Sequence, residues 1–103
     1  MSRKKNDDNN SALLKCAAVF DFLAGQGRDG ARPTDIAAAL AVSPSWVSVN
    51  LPALEEIGWL ERMEETSRWR LGRRFAQVAA QEVAELKKAE NRISEDLNRW
   101  TRG

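Results

Sequence analysis

The segment from Pro33 to Gly58 limits the fold more than any other part of this chain, because it encodes two helices too short to stand alone, with a tight turn between them. The leading helix is expected to start after Pro33, with Thr34 as its N-cap and Asp35 at its positively polarised end. Ile36, Ala37 and Leu40 give it a buried stripe and it runs out near Ala41. After a turn through Ala41 and Val42, Ser43 is a good N-cap, and Pro44 stands at the first helical position, where its missing N–H costs nothing. The second helix then runs towards Ile57 with Val47, Leu51, Leu54 and Ile57 inward, and Gly58 ends it. Two short helices about a turn of three or four residues form a helix-turn-helix unit.

The flanks complete a domain. Upstream, Ser11 can cap a helix over 12–24 whose stripe is Leu13, Ala17, Phe20 and Leu23 or Ala24, and Gly25, Gly27 and Gly30 then open a loop. Downstream, 59–63 and 68–71 are short extended runs, the second alternating Trp69 and Leu71 with Arg68 and Arg70 as a half-buried strand does. Glu64 to Ser67 joins them as a hairpin, a wing beside the helix pair. From Phe75 to Trp100 the pattern is helical again: Ala79, Val83, Leu86, Ile93, Leu97 and Trp100 recur in alternating steps of three and four, with Glu90 in one seam position. The expected fold is mainly α with a small β-hairpin: a disordered tail (1–10), a winged helix-turn-helix domain (11–75) and an amphipathic dimerisation helix (76–103).

Composition narrows the function. The 103 residues contain no histidine and one cysteine, Cys16, so the commonest general base and metal ligand is missing and an internal disulfide is impossible. No phosphate loop, nucleophile elbow or paired-carboxylate motif is present, so neither an enzyme nor a cofactor is expected. No apolar run is long enough for a membrane span, and no apolar stretch follows the polar N-terminus as a secretory signal requires, so a cytoplasmic protein is expected. Net charge is only +1, but it is unevenly placed: 41–61 carries no Lys or Arg, whereas 62–74 carries Arg62, Arg68, Arg70, Arg73 and Arg74. Basic residues gathered on a wing suggest contact with nucleic-acid phosphates; the plainer reading is a solvated face beside Glu64 and Glu65.

The run Thr34-Asp-Ile-Ala-Ala-Ala-Leu-Ala-Val-Ser-Pro-Ser-Trp-Val, then Leu54-Glu-Glu-Ile-Gly-Trp-Leu-Glu-Arg, then Glu65-Thr-Ser-Arg-Trp-Arg-Leu-Gly, resembles the N-terminal DNA-binding domain of IclR-type transcriptional regulators over about residues 11–80. The resemblance implies a winged helix-turn-helix that binds double-stranded DNA and regulates transcription, with the second helix of the pair in the major groove. The chain departs from the family pattern in having Ser48-Val49-Asn50 where a basic residue is usual, Trp46 for a small Thr, Pro52 inside the helix with an expected kink, and Ser67 for a wing glycine. The effector-binding domain typical of the family has no counterpart in these residues, so no small-molecule effector is expected.

On this reading Ser45, Val49 and Pro52 point outward, flanked by Trp46 and Ser48. Ser43 and Ser45 can bond a phosphate or base edge, Asn50 can reach adenine from nearer the core edge, and Val49 can touch a thymine methyl. Arg62, Arg68 and Arg70 supply phosphate or minor-groove contacts; Thr34 serves as a cap and secondarily as a phosphate contact, and Lys4 and Lys5 are candidates for a minor-groove arm. Trp46 is either exposed for a partner or tucked against the leading helix. The stripe Val83, Leu86, Ile93, Leu97 and Trp100 either folds back on the N-terminal helix or pairs with its copy in a homodimer. The dimer is favoured because the stripe outruns what one small domain can cover, and Glu90 leaves an antiparallel or partly swapped pairing open. A dimeric regulator, most simply a repressor, is the leading expectation, and a stand-alone domain of this kind suits phages and other mobile elements. The alternative is a protein-interaction module that has lost DNA binding, suggested by the base-free stretch 41–61.

Overall fold

The computed structural model describes the backbone of residues 2–102 and the side chains of residues 11–101. Helix α1 (Ser2–Ala24) leads through a single 3-10 turn (Gly27–Asp29) to α2 (Pro33–Leu40) and α3 (Pro44–Glu56). The hairpin β1 (Leu60–Arg62) and β2 (Trp69–Leu71) follows, then α4 (Arg73–Arg102). This is a winged helix-turn-helix with a long C-terminal helix. The axes of α2 and α3 meet at 110°, inside the range of helix-turn-helix pairs. No single helix among the described residues is long and apolar enough to cross a membrane.

Local chemistry explains the turn. The Ser43 hydroxyl accepts from the Trp46 N–H at 3.0 Å, capping α3, and Pro44 opens the helix. Gly58 takes φ +82° at the far end, and the Trp59 N–H closes the last turn on the Leu54 carbonyl at 3.0 Å. Pro52 lies within α3, which continues past it to Glu56. Gly72, where β2 leaves the sheet, is buried against the Gly58 backbone, and any Cβ there would run into the Gly58 carbonyl.

Thr34 does not cap α2. The helix starts at Pro33, so Arg32 is the N-cap and Thr34 is already in the first turn. The missing acceptor is offset by Asp35, whose carboxylate accepts from the Arg32 N–H at 3.4 Å and from its guanidinium at 3.1 and 3.3 Å. At the other end Ala41 adopts a left-handed conformation, φ 54°, while the Val42 N–H bonds the Ala37 carbonyl at 3.0 Å. A side chain there strains a position that suits glycine. Ala41→Gly is therefore expected to stabilise the domain by about 1 kcal/mol and to raise Tm by about 4–8 °C, read by thermal circular dichroism. An unchanged or lower Tm would show that the turn carries no such strain.

The core is Val19 and Leu23 of α1, Ala31 just before α2, Ile36 and Ala37 of α2, Val47 and Leu51 of α3, Leu60, and Trp69. Two expected stripes are corrected. Leu13 is 70% exposed and Ala17 is exposed, because α1 is apolar on more than one side and the sheet and α2 pack against the Val19–Leu23 side. Ile57 is 59% exposed, because α3 has already ended and the chain is turning at Gly58. Ser11 lies inside α1, as nothing among residues 2–10 is a proline or glycine that would stop the helix, so the helix starts well before the expected cap.

The hairpin pairs antiparallel as Leu60 with Leu71, Glu61 with Arg70 and Arg62 with Trp69. Ala31 extends it by exchanging both backbone bonds with Trp69 (2.9 and 2.8 Å). Ser67 turns the hairpin with φ 59°, the conformation a wing glycine would adopt without strain. Helix α4 docks through Phe75, whose ring lies 5.2 Å from Phe20 and 5.4 Å, edge-on, from Trp59. Beyond that anchor every described residue from 79 to 101 is exposed, including Val83, Leu86, Ile93, Leu97 and Trp100. The stripe does not fold back on the domain of its own chain.

Candidate nucleic-acid interface

Opposite residues of an antiparallel pair share a face of the sheet, so the register decides what each wing arginine can reach. Arg62 sits on the Trp69 face, next to α3. Its N–H donates to the Glu55 carboxylate at 3.3 Å and its guanidinium to the Ser67 hydroxyl at 3.3 Å, leaving an exposed side chain at the α3 edge of the wing. Between them, Pro44, Val47, Ser48 and Pro52 of α3, Pro33 and Thr34 of α2, and Arg62 and Trp69 of the wing line a cleft of about 270 Å³. All three prolines of the chain lie on its wall.

The other face of the wing has a different task. Arg70 donates to Glu61 at 3.0 Å and to the Arg28 carbonyl at 3.3 Å, and only 24% of its side chain is exposed. Arg28 in turn donates to the Leu71 carbonyl at 3.2 Å. The hydrogen bond from Arg70, with the charges of Arg28 and Arg73, holds the Glu61 carboxyl below its ordinary range. Arg70, expected on the DNA face, ties the wing to the 3-10 turn instead, because strand alternation sets it opposite Trp69. Arg68 is half-buried, donates to the Gly30 carbonyl at 3.5 Å and lies close enough to the start of α2 for its charge to act on Asp35.

Along α3 the expected residues divide into three ridges. Ser45 and Val49 are exposed on the open face, Val49 at 70%. Ser48 lines the cleft and its hydroxyl donates to the Ser45 carbonyl at 3.1 Å. Trp46 and Asn50 lie on the inner edge. Trp46 is half-buried against the core, with the ammonium of Lys15 on α1 5.9 Å from its ring centre. The Asn50 amide donates one N–H to the Trp46 carbonyl at 2.8 Å, which ties it to the inner edge of α3. Ser43 is exposed but engaged as the cap. Lys4 and Lys5 lie outside the described side chains.

Sequence reasoning passed over Arg32. Its exposed guanidinium pairs with Asp35 at the start of α2, next to Thr34 and the cleft. The hydrogen bonds between them, the largest cause, lower the Asp35 carboxyl. The signal was present as a basic residue immediately before Pro33-Thr34, but the cap assignment to Thr34 hid it.

The start of α2, the outer side of α3 and the Arg62 edge of the wing thus border one cleft. Comparison with known proteins agrees with this geometry. The model of the IclR helix-turn-helix domain matches residues 12–64, which cover α1 from Ala12 onward and then α2, α3 and β1. No curated protein and no solved structure matches the chain. With just over half of its 103 residues matched, the chain belongs to the IclR helix-turn-helix domain family and is a DNA-binding transcription regulator.

Proposed function

We propose that this protein is a repressor that occupies an operator as a homodimer in the cytoplasm, each subunit presenting α3 to a major groove. The observation that carries the reading is the exposed ridge of Ser45 and Val49 beside a cleft bordered by Arg62 and the start of α2. Thr34, Ser43, Ser45 and Ser48 offer hydroxyls to phosphates and base edges, and Val49 offers an apolar contact. Arg62, with Arg32 and Arg68 behind it, supplies positive charge where the duplex backbone would pass. The unpartnered stripe on α4 supports a second copy, which pairs two half-sites. Repression needs nothing further than occupancy of a promoter, and the face-plus-dimer arrangement supports that.

The test is binding to random duplex by gel shift across a salt series, followed by selection of bound genomic fragments. Binding is expected to weaken steeply as salt rises. Arg62→Ala is expected to weaken it about tenfold and to lower the slope of log K against log salt by about one. Arg70→Ala is expected to lower thermal stability while leaving that slope unchanged. Absence of a shift at low salt would overturn the reading in favour of a protein-interaction module.

A further inference from the structure

On helix α3 the two ridges that face outward are Pro44, Ser48 and Pro52 on the cleft side and Ser45, Val49 and Ala53 on the open side. Residues four apart lie above one another, so these six side chains are the reading surface of the helix. Four of the six have no hydrogen-bonding group in the side chain. Of the two serines, Ser48 already donates its hydroxyl proton to the Ser45 carbonyl. Asn50, the one amide on the helix, donates to the Trp46 carbonyl. The acids Glu55 and Glu56 lie at the far end, and Glu55 accepts from the Arg62 backbone. No Arg, Lys or Gln is present between Pro33 and Glu61 to make a bidentate contact to a purine. What α3 does present is apolar: Val49, 70% exposed, with exposed Pro52 one turn later and exposed Ala53 beside it.

A solvent-exposed valine and proline on a surface meant for a groove need an apolar partner. The major groove offers only one, the C5-methyl group of a pyrimidine. We infer that α3 reads its site through pyrimidine C5-methyl groups, with Val49 as the principal determinant and Pro52 and Ala53 as its flanks. The inference rests on the DNA-binding reading above and names the chemistry by which that face discriminates. Thymine satisfies it, and so does 5-methylcytosine. A cytosine and a 5-methylcytosine in one sequence differ only in that methyl group, so this surface tells them apart by it.

The experiment uses the full chain. Duplexes enriched from a random thymine-containing pool are resynthesised with deoxyuridine for thymidine, and separately with cytosine or 5-methylcytosine in place of thymine at the contacted positions. Affinities are compared by fluorescence anisotropy at fixed salt. Uracil is expected to weaken binding about fourfold for each methyl in contact, the scale of one buried methyl group. Methylated cytosine at the contacted positions is expected to strengthen it by a similar factor. Val49→Ala is expected to lose most of the thymine–uracil difference, whereas Val49→Ile keeps it. Equal, measurable affinities for thymine and uracil duplexes would overturn methyl readout and leave the DNA-binding reading standing. Failure to enrich any duplex would overturn both.

Discussion

Trp69→Ala is expected to leave the domain largely unfolded at room temperature. Trp69 is 5% exposed and links the wing to the rest of the domain. It shares a sheet face with Arg62, bridges through its backbone to Ala31, belongs to the cluster that includes Ile36, Val47 and Leu51, and forms part of the cleft wall. Truncating a buried tryptophan to alanine costs about 3–5 kcal/mol, from lost burial and from the cavity left behind. A domain of this size has only about 5–15 kcal/mol in total, and the core here is small, so the low end of that range applies. Urea titration followed by circular dichroism should show the midpoint collapsing towards zero denaturant. Trp69→Phe, which keeps an aromatic ring, should retain a cooperative transition at a lower midpoint. A Trp69→Ala variant with a near-native midpoint would mean that the wing is not part of the cooperative unit.

Trp69 is also a case of what could be read from the sequence. Its alternation with arginines identified a half-buried strand, because the two-residue period of a strand is a local property. The caps at Ser43 and Gly58 were legible for the same reason: each needs only its own hydroxyl or its own φ. The choice of buried face was not local. Helix α1 offers Leu13, Leu14, Ala17, Val19, Phe20, Phe22 and Leu23, enough apolar residues for two stripes, and the position of the sheet decides that Val19 and Leu23 go inward while Leu13 and Leu14 stay 70% and 69% exposed. The wing arginines show the same limit. Strand alternation puts Arg68 and Arg70 opposite Trp69, but only the pairing of Arg62 with Trp69 reveals that Arg62 is the one facing α3. Arg32 escaped notice because its capping works through Asp35 rather than through a hydroxyl of its own.

Helix α4 makes the largest demand for a partner, and a double substitution on it is expected to separate DNA affinity from domain stability. Leu86→Asp with Ile93→Asp should give a monomer by sedimentation equilibrium, with operator affinity lower by about a hundredfold or more, the usual benefit of linking two binding events. Val83, Leu86, Ile93, Leu97 and Trp100 are between 51% and 80% exposed in one chain, and burying such a side chain stabilises by about 1.5–3 kcal/mol. Two copies wound in parallel would bring these residues together at the a and d positions and set Glu82 opposite Lys87 of the second copy, an attractive pair. The same register sets Glu90 against its own copy in the seam. Two carboxylates there repel, so Glu90→Leu should tighten the dimer, and pairing that is unaffected or weakened by it would point to an antiparallel arrangement. The winged domain should be indifferent to the double aspartate variant, because every described residue from 79 to 101 is exposed and lies beyond the Phe75 anchor. Unchanged thermal unfolding of residues 11–75 with lost dimerisation and lost operator affinity is thus the expected combination. A dimer that survives both aspartates would place the subunit contact elsewhere, and unchanged operator affinity in a monomer would show that one wing and one α3 suffice for binding.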